Sequence, residues 1–514
     1  MAEKVITNNN RIAKNTMFLY IRMLLSLLVS LYTSRIILNA LGASDYGIYN
    51  VVGGVVSMFA FMSNTMATAT QRFMSYAIGC NDIEDLRKTF VTSRIILQLI
   101  ALVIFILVES IGLWLFYNQL SIPEGRQTAA FWVFQFSVVA LFITIISVPY
   151  NAAIIAHEKM SIYAGFSLID IFLRLAVAFL LLTVAESLDK LIIYSAMMML
   201  ISVLMRIIYT IYCKNQFEEC SHNVIKYDRG KGAKMISFFS WNTIGSLSYV
   251  AKEQGVNILI NIFFGTLVNA ARGITTQVTG AVQGFISNFQ VAMNPQIVKY
   301  YAQRDFKNLF ELVMRGAKFS LFLFFFLALP LYIEIDYVLK LWLVNVPNYT
   351  GSFIRLTFIL MMIESLSAPV ITCLLAVGKV KWYQIIVGTM LMLNLPLSYI
   401  VLKCGYGPEF TIIIAICISF VSLIVRLVML NIYISFPVCE FFINVGIKAL
   451  VVVLGSYFVS SVLCAIIPME GIKHFIIVLM ISWLTSAFLI LFWGMDKSER
   501  KLIYSLVNNM LGKI

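Results

Sequence analysis

The chain has 514 residues, 61% of them hydrophobic and 12% charged, with a mean hydropathy of +0.90 and a formal net charge of +13. Soluble domains carry about 45–50% apolar and about 25% charged residues, so a large soluble enzyme is excluded and a polytopic membrane protein is indicated. The positive charge gathers in the loops of one side, which explains the excess without nucleic-acid binding.

A helix needs about 20 apolar residues to cross a bilayer. The chain offers fourteen such runs, an all-α architecture: 16–41, 47–77, 91–117, 130–155, 162–184, 191–213, 235–263, 267–297, 316–343, 352–377, 382–402, 410–432, 441–466 and 472–494. The polar start MAEKVITNNNRIAKN leads into a run too long for a signal peptide, with no A-x-A site after it, so the first span is expected to stay. The second and eighth spans are rich in Gly, Ser, Thr, Asn and Gln, which suits helices that face other helices or a wet cavity. Taking alternate loops as one side, the side with the N-terminus holds 21 lysines and arginines. The other holds five: Arg126, Lys190, Lys340, Lys403 and Lys473. The positive-inside rule then places both termini in the cytoplasm. The longest loop, 214–234, is basic and is expected to lie against anionic headgroups.

An internal repeat organises the chain. SVPYNAAIIAHEKMSIY (147–163) and SAPVITCLLAVGKVKWY (367–383) share S-x-P-x6-A-x2-K-x3-Y at an offset of 220 residues. DLRKTF (85–90) and DFKNLF (305–310) match at 220, as do Ser202 and Arg206 with Ser422 and Arg426. Duplication of a six-helix unit follows, with an N-lobe over 1–213, a basic linker over 214–234, a C-lobe over 235–433, and extra helices with a tail over 434–514. Six is even, so the lobes enter the membrane alike and a pseudo-two-fold along its normal relates them. The repeated Pro149 and Pro369 are structural kinks or hinges.

Ionisable residues inside spans are functional candidates unless they snorkel to the interface. Arg22 and Arg35 lie about 9 Å inside the two ends of the first span, close enough to snorkel. Arg72, after Gln71, is either an interface anchor or a binding cation. Arg174 sits mid-span and cannot reach an interface. Asp170, one turn earlier, either neutralises it or tunes it for coupling. Lys252 and Glu253 are sequence neighbours and project about 100° apart, so they are not expected to pair with one another, and at least one should face a cavity. Gly245 and Gly255 flank them and would permit bending. Arg272 lies just inside the outer end of the eighth span. Glu364 stands near mid-depth with no basic residue one turn away, either an ion site or a protonated, hydrogen-bonded acid. A lumen lined by this set carries more cations than acids and suits an anionic head such as a diphosphate.

The eight cysteines form no CxxC, most sit in apolar runs, and neither a disulfide framework nor a zinc site is implied. The three histidines, His157, His222 and His474, are far apart. No G-x-x-x-x-G-K-[ST] loop, soluble transferase domain or long outer loop is present, which argues against an ATP-driven pump and against a membrane enzyme.

The stretch NTMFLYIRMLLSLLVSLYTSRIILNALGASDYGIYNVVGGVVSMFAFM (15–62), followed by QRFMSY (71–76), and PYNAAIIAHEKMSIY (149–163) resemble bacterial polysaccharide flippases of the Wzx type. These belong to the multidrug/oligosaccharidyl-lipid/polysaccharide (MOP) exporter superfamily, with the lipid II flippase. The resemblance implies movement of an undecaprenyl-diphosphate-linked oligosaccharide across the bacterial cytoplasmic (inner) membrane by alternating access. It implies secondary energy coupling, to a proton or sodium gradient or to membrane potential; the chain is expected to act as a monomer with no bound cofactor. It places the chain in a pathway of polysaccharide assembly such as O-antigen, beside glycosyltransferases and a polymerase. It also implies that Arg35, Arg72 and Arg272 face the lumen and meet the diphosphate. Drug-exporting relatives tend to carry acids in the outer half of the first helix. The first span here has only Arg22 and Arg35, which leaves ion-coupled drug export as the second reading.

Overall fold

The computed structural model describes residues 2–500 apart from 58–59, 119–124, 184–187, 222–226, 344–345, 467–470 and 498. His222, Lys226 and the basic tail from 501 onward therefore lie outside the described residues. Every regular element among the described residues is a helix. The membrane-length helices run in the expected order. They are α1 (Asn15–Gly42), α2 (Ala60–Gly79), α3 (Ile83–Asn118), α4 (Gln127–Ala156), α5 (Met160–Thr183), α6 (Lys190–Gln216), α7 (229–264), α8 (266–302), α9 (Phe306–Ile333), α10 (Thr350–Val377), α11 (Val380–Lys403), α12 (Phe410–Ile434), α13 (Val438–Cys464) and α14 (Ile472–Gly494). Eleven are long and apolar enough to cross a membrane, and the polar α2, α7 and α8 are not among them. The chain is a multi-pass membrane protein. It divides into two compact units, Asn15–Thr243 and Ile244–Ile514, the latter together with Met1–Lys14.

Backbone conformation carries the repeat further than the sequence does. The α1 helix breaks at Gly42 (φ 77°, ψ 167°), and α7 and α8 are separated by the same break at Gly265 (φ 77°, ψ −171°). A positive φ is cheap only for glycine. Asn81 and Arg304, both at φ 55°, precede the capping residues Asp82 and Asp305 of α3 and α9. These pairs stand 223 residues apart. Further on, the αL residues Glu158 and Gly378 that end α4 and α10 stand 220 apart, as do Pro149 and Pro369. The match of DLRKTF with DFKNLF at 220 is thus out of register. Asp305 is the counterpart of the cap Asp82, not of Asp85, and the N-lobe carries three more residues between cap and proline.

The repeated proline and arginine meet within the first unit. Pro149 has no N–H to give to the turn before it. A carbonyl of that turn, Ile146 O, accepts from Arg206 Nη1 at 2.5 Å, and Ser147 Oγ lies at 3.5 Å. In the second unit Arg426 is buried, where Arg206 is half-buried, but its Nε and the Ser367 and Ser422 hydroxyls find no hydrogen-bond partner among the described residues.

Among its described residues, the stretch expected as a linker over 214–234 is largely helical. The α6 helix continues to Gln216, a short helix covers Glu218–Ser221, and α7 starts at Arg229. Lys231 does not reach for headgroups. Its ammonium donates to Thr89 Oγ1 (2.7 Å), to the Asp85 carbonyl (2.8 Å) and to the Asp85 carboxylate. His157 pairs with the buried Glu219 (2.6 Å) and stacks on Phe217 at 4.2 Å. At the other end of the first unit Arg126 bridges two acids, Asp45 just past the Gly42 break and Asp189, the N-cap of α6.

The two additional helices, α13 and α14, dock on α9. Phe326 stacks on Trp483 (5.5 Å, 9°), and a Cβ at Gly494 would fall 2.7 Å from Phe322. An ion cluster closes the end of this contact. Lys318 of α9 reaches Glu499 at 2.7 Å and Asp496 at 3.2 Å, Lys448 of α13 reaches Asp496 at 2.5 Å, and Arg315 lies 3.7 Å from Glu499.

Candidate functional site

Four of the intramembrane charges come together in the second unit. Lys252 and Glu253 of α7 do pair, at 3.0 Å, contrary to the expectation from their 100° separation. The four-carbon lysine stem bends around the helix, and burial (Lys252 is 3% exposed) leaves it no water to turn to. The other oxygen of Glu253 accepts from Arg272 of α8 at 2.9 Å. One carboxylate thus serves two cations. The Lys252 ammonium also sits 4.8 Å from the Tyr249 ring centre, a favourable cation–π distance.

Glu253 and Arg272 open into a cavity of about 140 Å³ between α7, α8, α10, α11 and α12. Its far wall carries Glu364, whose carboxylate makes no hydrogen bond or ion pair among the described residues. The basic groups within electrostatic reach of it are Lys252 and Arg426. Thr275 and Thr279 of α8 line the same cavity while donating to their own helix, at 2.9 Å and 2.8 Å, so their oxygens keep lone pairs free. Asn394, at the step inside α11, adds an amide and accepts from Ser398 at 3.1 Å. The cavity therefore offers carboxylate, hydroxyl and amide oxygens that can bind a cation and, in Arg272, a donor that can bind an anion.

Arg272 also lines a second space, an open cleft of about 540 Å³ formed by α7 and α8 alone around the Gly265 break. Gly245 and Gly255 lie in unbroken helix. A Cβ at either would come within 1.8 Å of Gln384 or 2.3 Å of Leu395, so close helix approach accounts for both, and the sharp break is at Gly265.

The remaining candidates lie in the first unit. Arg174 is held by Asp170 through two hydrogen bonds, 2.9 Å and 3.2 Å, as an i,i+4 pair that still leaves the arginine 41% exposed. The Tyr49 and Tyr194 rings, 4.8 Å apart, lie within electrostatic reach of it. Arg72 sits among Phe73, Phe238 and Tyr76 at 4.6 Å, 5.2 Å and 5.8 Å from their ring centres. Arg35 is exposed and makes no ion pair among the described residues. Pro149 and Pro369 are buried within continuous helices. No group of three or more potential metal ligands occurs among the described residues.

No family model and no curated protein matches the chain. Solved structures do. A multidrug and toxic compound extruder (MATE) in the bent conformation is 13% identical, with a TM-score of 0.69 over 84% of this chain and 97% of its own. An outward-facing multidrug resistance MATE family transporter of the MOP superfamily is 13% identical, with a TM-score of 0.68 over 83% and 97%. The chain has the MATE fold. A MOP superfamily transporter from Pyrococcus furiosus, described as having a binding pocket of reverse polarity that suggests a different function, is 14% identical, with a TM-score of 0.66 over 82% and 96%.

On this MATE fold several site residues went unread in the sequence. Tyr249 and the Thr275–Thr279 pair look like ordinary span residues until α10 places Glu364 opposite them. Gln254, Asn257 and Asn261 follow an i, i+3, i+7 spacing that marks one helix face, a readable signal. Glu109 was passed over as well. It lies in a π-turn of α3, Val108–Gly112, where Gln135 donates to it at 3.2 Å. π-Turns leave no sequence signature and collect at functional sites.

Proposed function

We propose that the chain is a flippase for a lipid-linked oligosaccharide with a diphosphate head, working by alternating access in a bacterial cytoplasmic membrane. The observation that carries this reading is Arg272. It stands beside Lys252, shares one carboxylate with it, and borders both the inner cavity and the open cleft. Two cations to the one bonded acid leave a surplus of positive charge beside Glu253, and Arg272, the cation that lines both spaces, has a guanidinium that binds phosphate oxygens in bidentate fashion. Arg35, exposed in α1, and Arg72 are further diphosphate contacts in this reading, and Arg174 a third. The excess of Lys and Arg in the loops on the side of the N-terminus supports cytoplasmic termini in this reading. The resemblance of the N-terminal motifs to Wzx-type flippases supports the substrate class, and the MATE fold supports a transporter.

The test is flipping of a labelled polyprenyl-diphosphate oligosaccharide in proteoliposomes. Arg272→Gln is expected to lower the rate at least tenfold, the loss of about one charge-assisted contact. A normal rate would remove Arg272 from the substrate path. Glu364, unpaired beside hydroxyl oxygens, is the coupling group in the same proposal. Asp170 and Glu253 act as electrostatic partners of the cations. Glu364→Gln should change the response of flipping to an imposed proton or sodium gradient, and an unchanged response would leave Glu364 structural. The unpaired Glu364 also favours the second reading, export of a cationic small molecule, which ethidium accumulation in inverted vesicles would reveal.

A further inference from the structure

The open cleft of α7 and α8 has a composition that its position does not explain. These two helices are as long as spans yet too polar to be counted among the apolar ones. Their polarity is concentrated: Gln254, Asn257 and Asn261 on α7 and Asn269 on α8 all line the cleft beside Arg272. Gln254 and Asn257 lie about 16 and 12 Å from the Gly265 break, deep enough that a carboxamide needs protein, water or a ligand to satisfy it, and Asn261 and Asn269 continue the same polar surface toward the break. The protein supplies little. Asn257 gives one weak hydrogen bond to Gln254 at 3.4 Å, while Asn261 and Asn269 make none among the described residues.

Each carboxamide offers two donors and two acceptor lone pairs. That mixed character matches hydroxyl and acetamido groups, which also donate and accept. It matches neither a bare ion nor an apolar drug. The aliphatic Ile258 and Ile262 are interleaved with the amides, both exposed, and offer apolar surface to the C–H face of a sugar ring. At Gly273 an added Cβ would meet nothing within 4 Å, so the wall there is open. The volume, about 540 Å³, lies in the range that holds a ligand of drug size, and a short saccharide is of that size.

From this juxtaposition we infer that the α7–α8 cleft is the saccharide subsite, with Asn261 and Asn269 as specificity-determining groups and Arg272 at its edge holding the adjoining diphosphate. Asn261 and Asn269 lie four residues either side of Gly265, about 6 Å along each helix, and Arg272 about 10 Å. The sugar is thus placed nearer the break than the phosphates. The inference rests on the flippase reading and adds to it that the protein grips its cargo by the sugar as well as by the charge.

Two probes separate the claims: farnesyl diphosphate, and farnesyl diphosphate carrying one N-acetylglucosamine, each titrated onto the full-length protein in nanodiscs. The wild type is expected to bind the glycosylated probe about tenfold more tightly, the yield of one to two net hydrogen bonds. Asn261→Leu with Asn269→Leu should erase that preference and leave farnesyl diphosphate binding unchanged, which also serves as the folding control. Asn261→Gln with Asn269→Gln, which keeps the amides, should retain part of the preference. Equal affinity of the wild type for both probes, or an equal loss of both in the leucine variant, overturns the saccharide subsite while the flippase reading stands. Failure of the wild type to bind either probe overturns the flippase reading and the subsite with it.

Discussion

Glu253→Gln is expected to abolish flipping and to lower thermal stability more than loss of either cation it holds. Glu253 is the one acid bonded to both Lys252 and Arg272, which are 3% and 14% exposed. Removing one partner of a buried pair costs about 3–5 kcal/mol, because the charge left behind has no compensation. Glu253 itself is 35% exposed, so the lower end, about 3 kcal/mol, applies here. The neutral amide would also leave two like charges facing each other. At a separation of roughly 6 Å and an effective dielectric of about 20 their repulsion is about 3 kcal/mol. The double variant Lys252→Met with Glu253→Gln removes one of those charges and should recover much of the stability. Thermal unfolding of the purified wild type, both single variants and the double variant measures the coupling directly. A Glu253→Gln protein as stable as the wild type would show that the two cations do not depend on the shared acid.

Lys318→Met should release the segment after α14 from the second unit. Lys318 and Glu499 are each 3% exposed and 2.7 Å apart. Without Lys318, Glu499 keeps one cation, Arg315 at 3.7 Å, and the Asp496 N–H at 2.8 Å, and about 3–5 kcal/mol of the contact is lost. Limited proteolysis after Gly494 should become much faster while α9 stays protected, and unchanged cleavage would assign the docking to the stacked Phe326 and Trp483 instead. The same cluster fixes a pH response. Partial burial pushes the Asp496 carboxyl up, but Lys448 and Lys318 outweigh it and hold the group below the usual carboxylate range. A depressed acid stabilises the fold fully above its unfolded value and loses that contribution as pH falls through the folded one. Docking should therefore be flat across neutral pH and weaken only in strong acid.

Much of this architecture could be read from the sequence, because hydropathy and loop charge report the solvent a segment meets. The gap between the seventh and eighth runs, 264–266, coincides with the Gly265 break, and α2 and α8 are polar as their composition indicated. The repeat was legible around Pro149 and Pro369, where helix and loop lengths agree, but misaligned around Asp85, where three residues differ and backbone dihedrals give the true register. The site was legible in its charges and not in their bonding. Helical projection angles describe where a side chain starts, and Lys252 shows how far a long stem travels from there. Nor could the sequence place Glu364 opposite α7, since they are 111 residues apart and only the fold of the second unit joins them.

The proline-and-arginine repeat has a consequence for how a duplicated protein becomes a machine. Both halves carry the proline and, further along, the arginine of the repeat. In the first half Arg206 is tied to the Ile146 carbonyl and acts as mortar. In the second the same inherited part, Arg426, is buried with its Nε unpartnered among the described residues and lies within the field of Glu364. Division of labour between twins then begins with a single side chain, kept as masonry in one and freed as an instrument in the other.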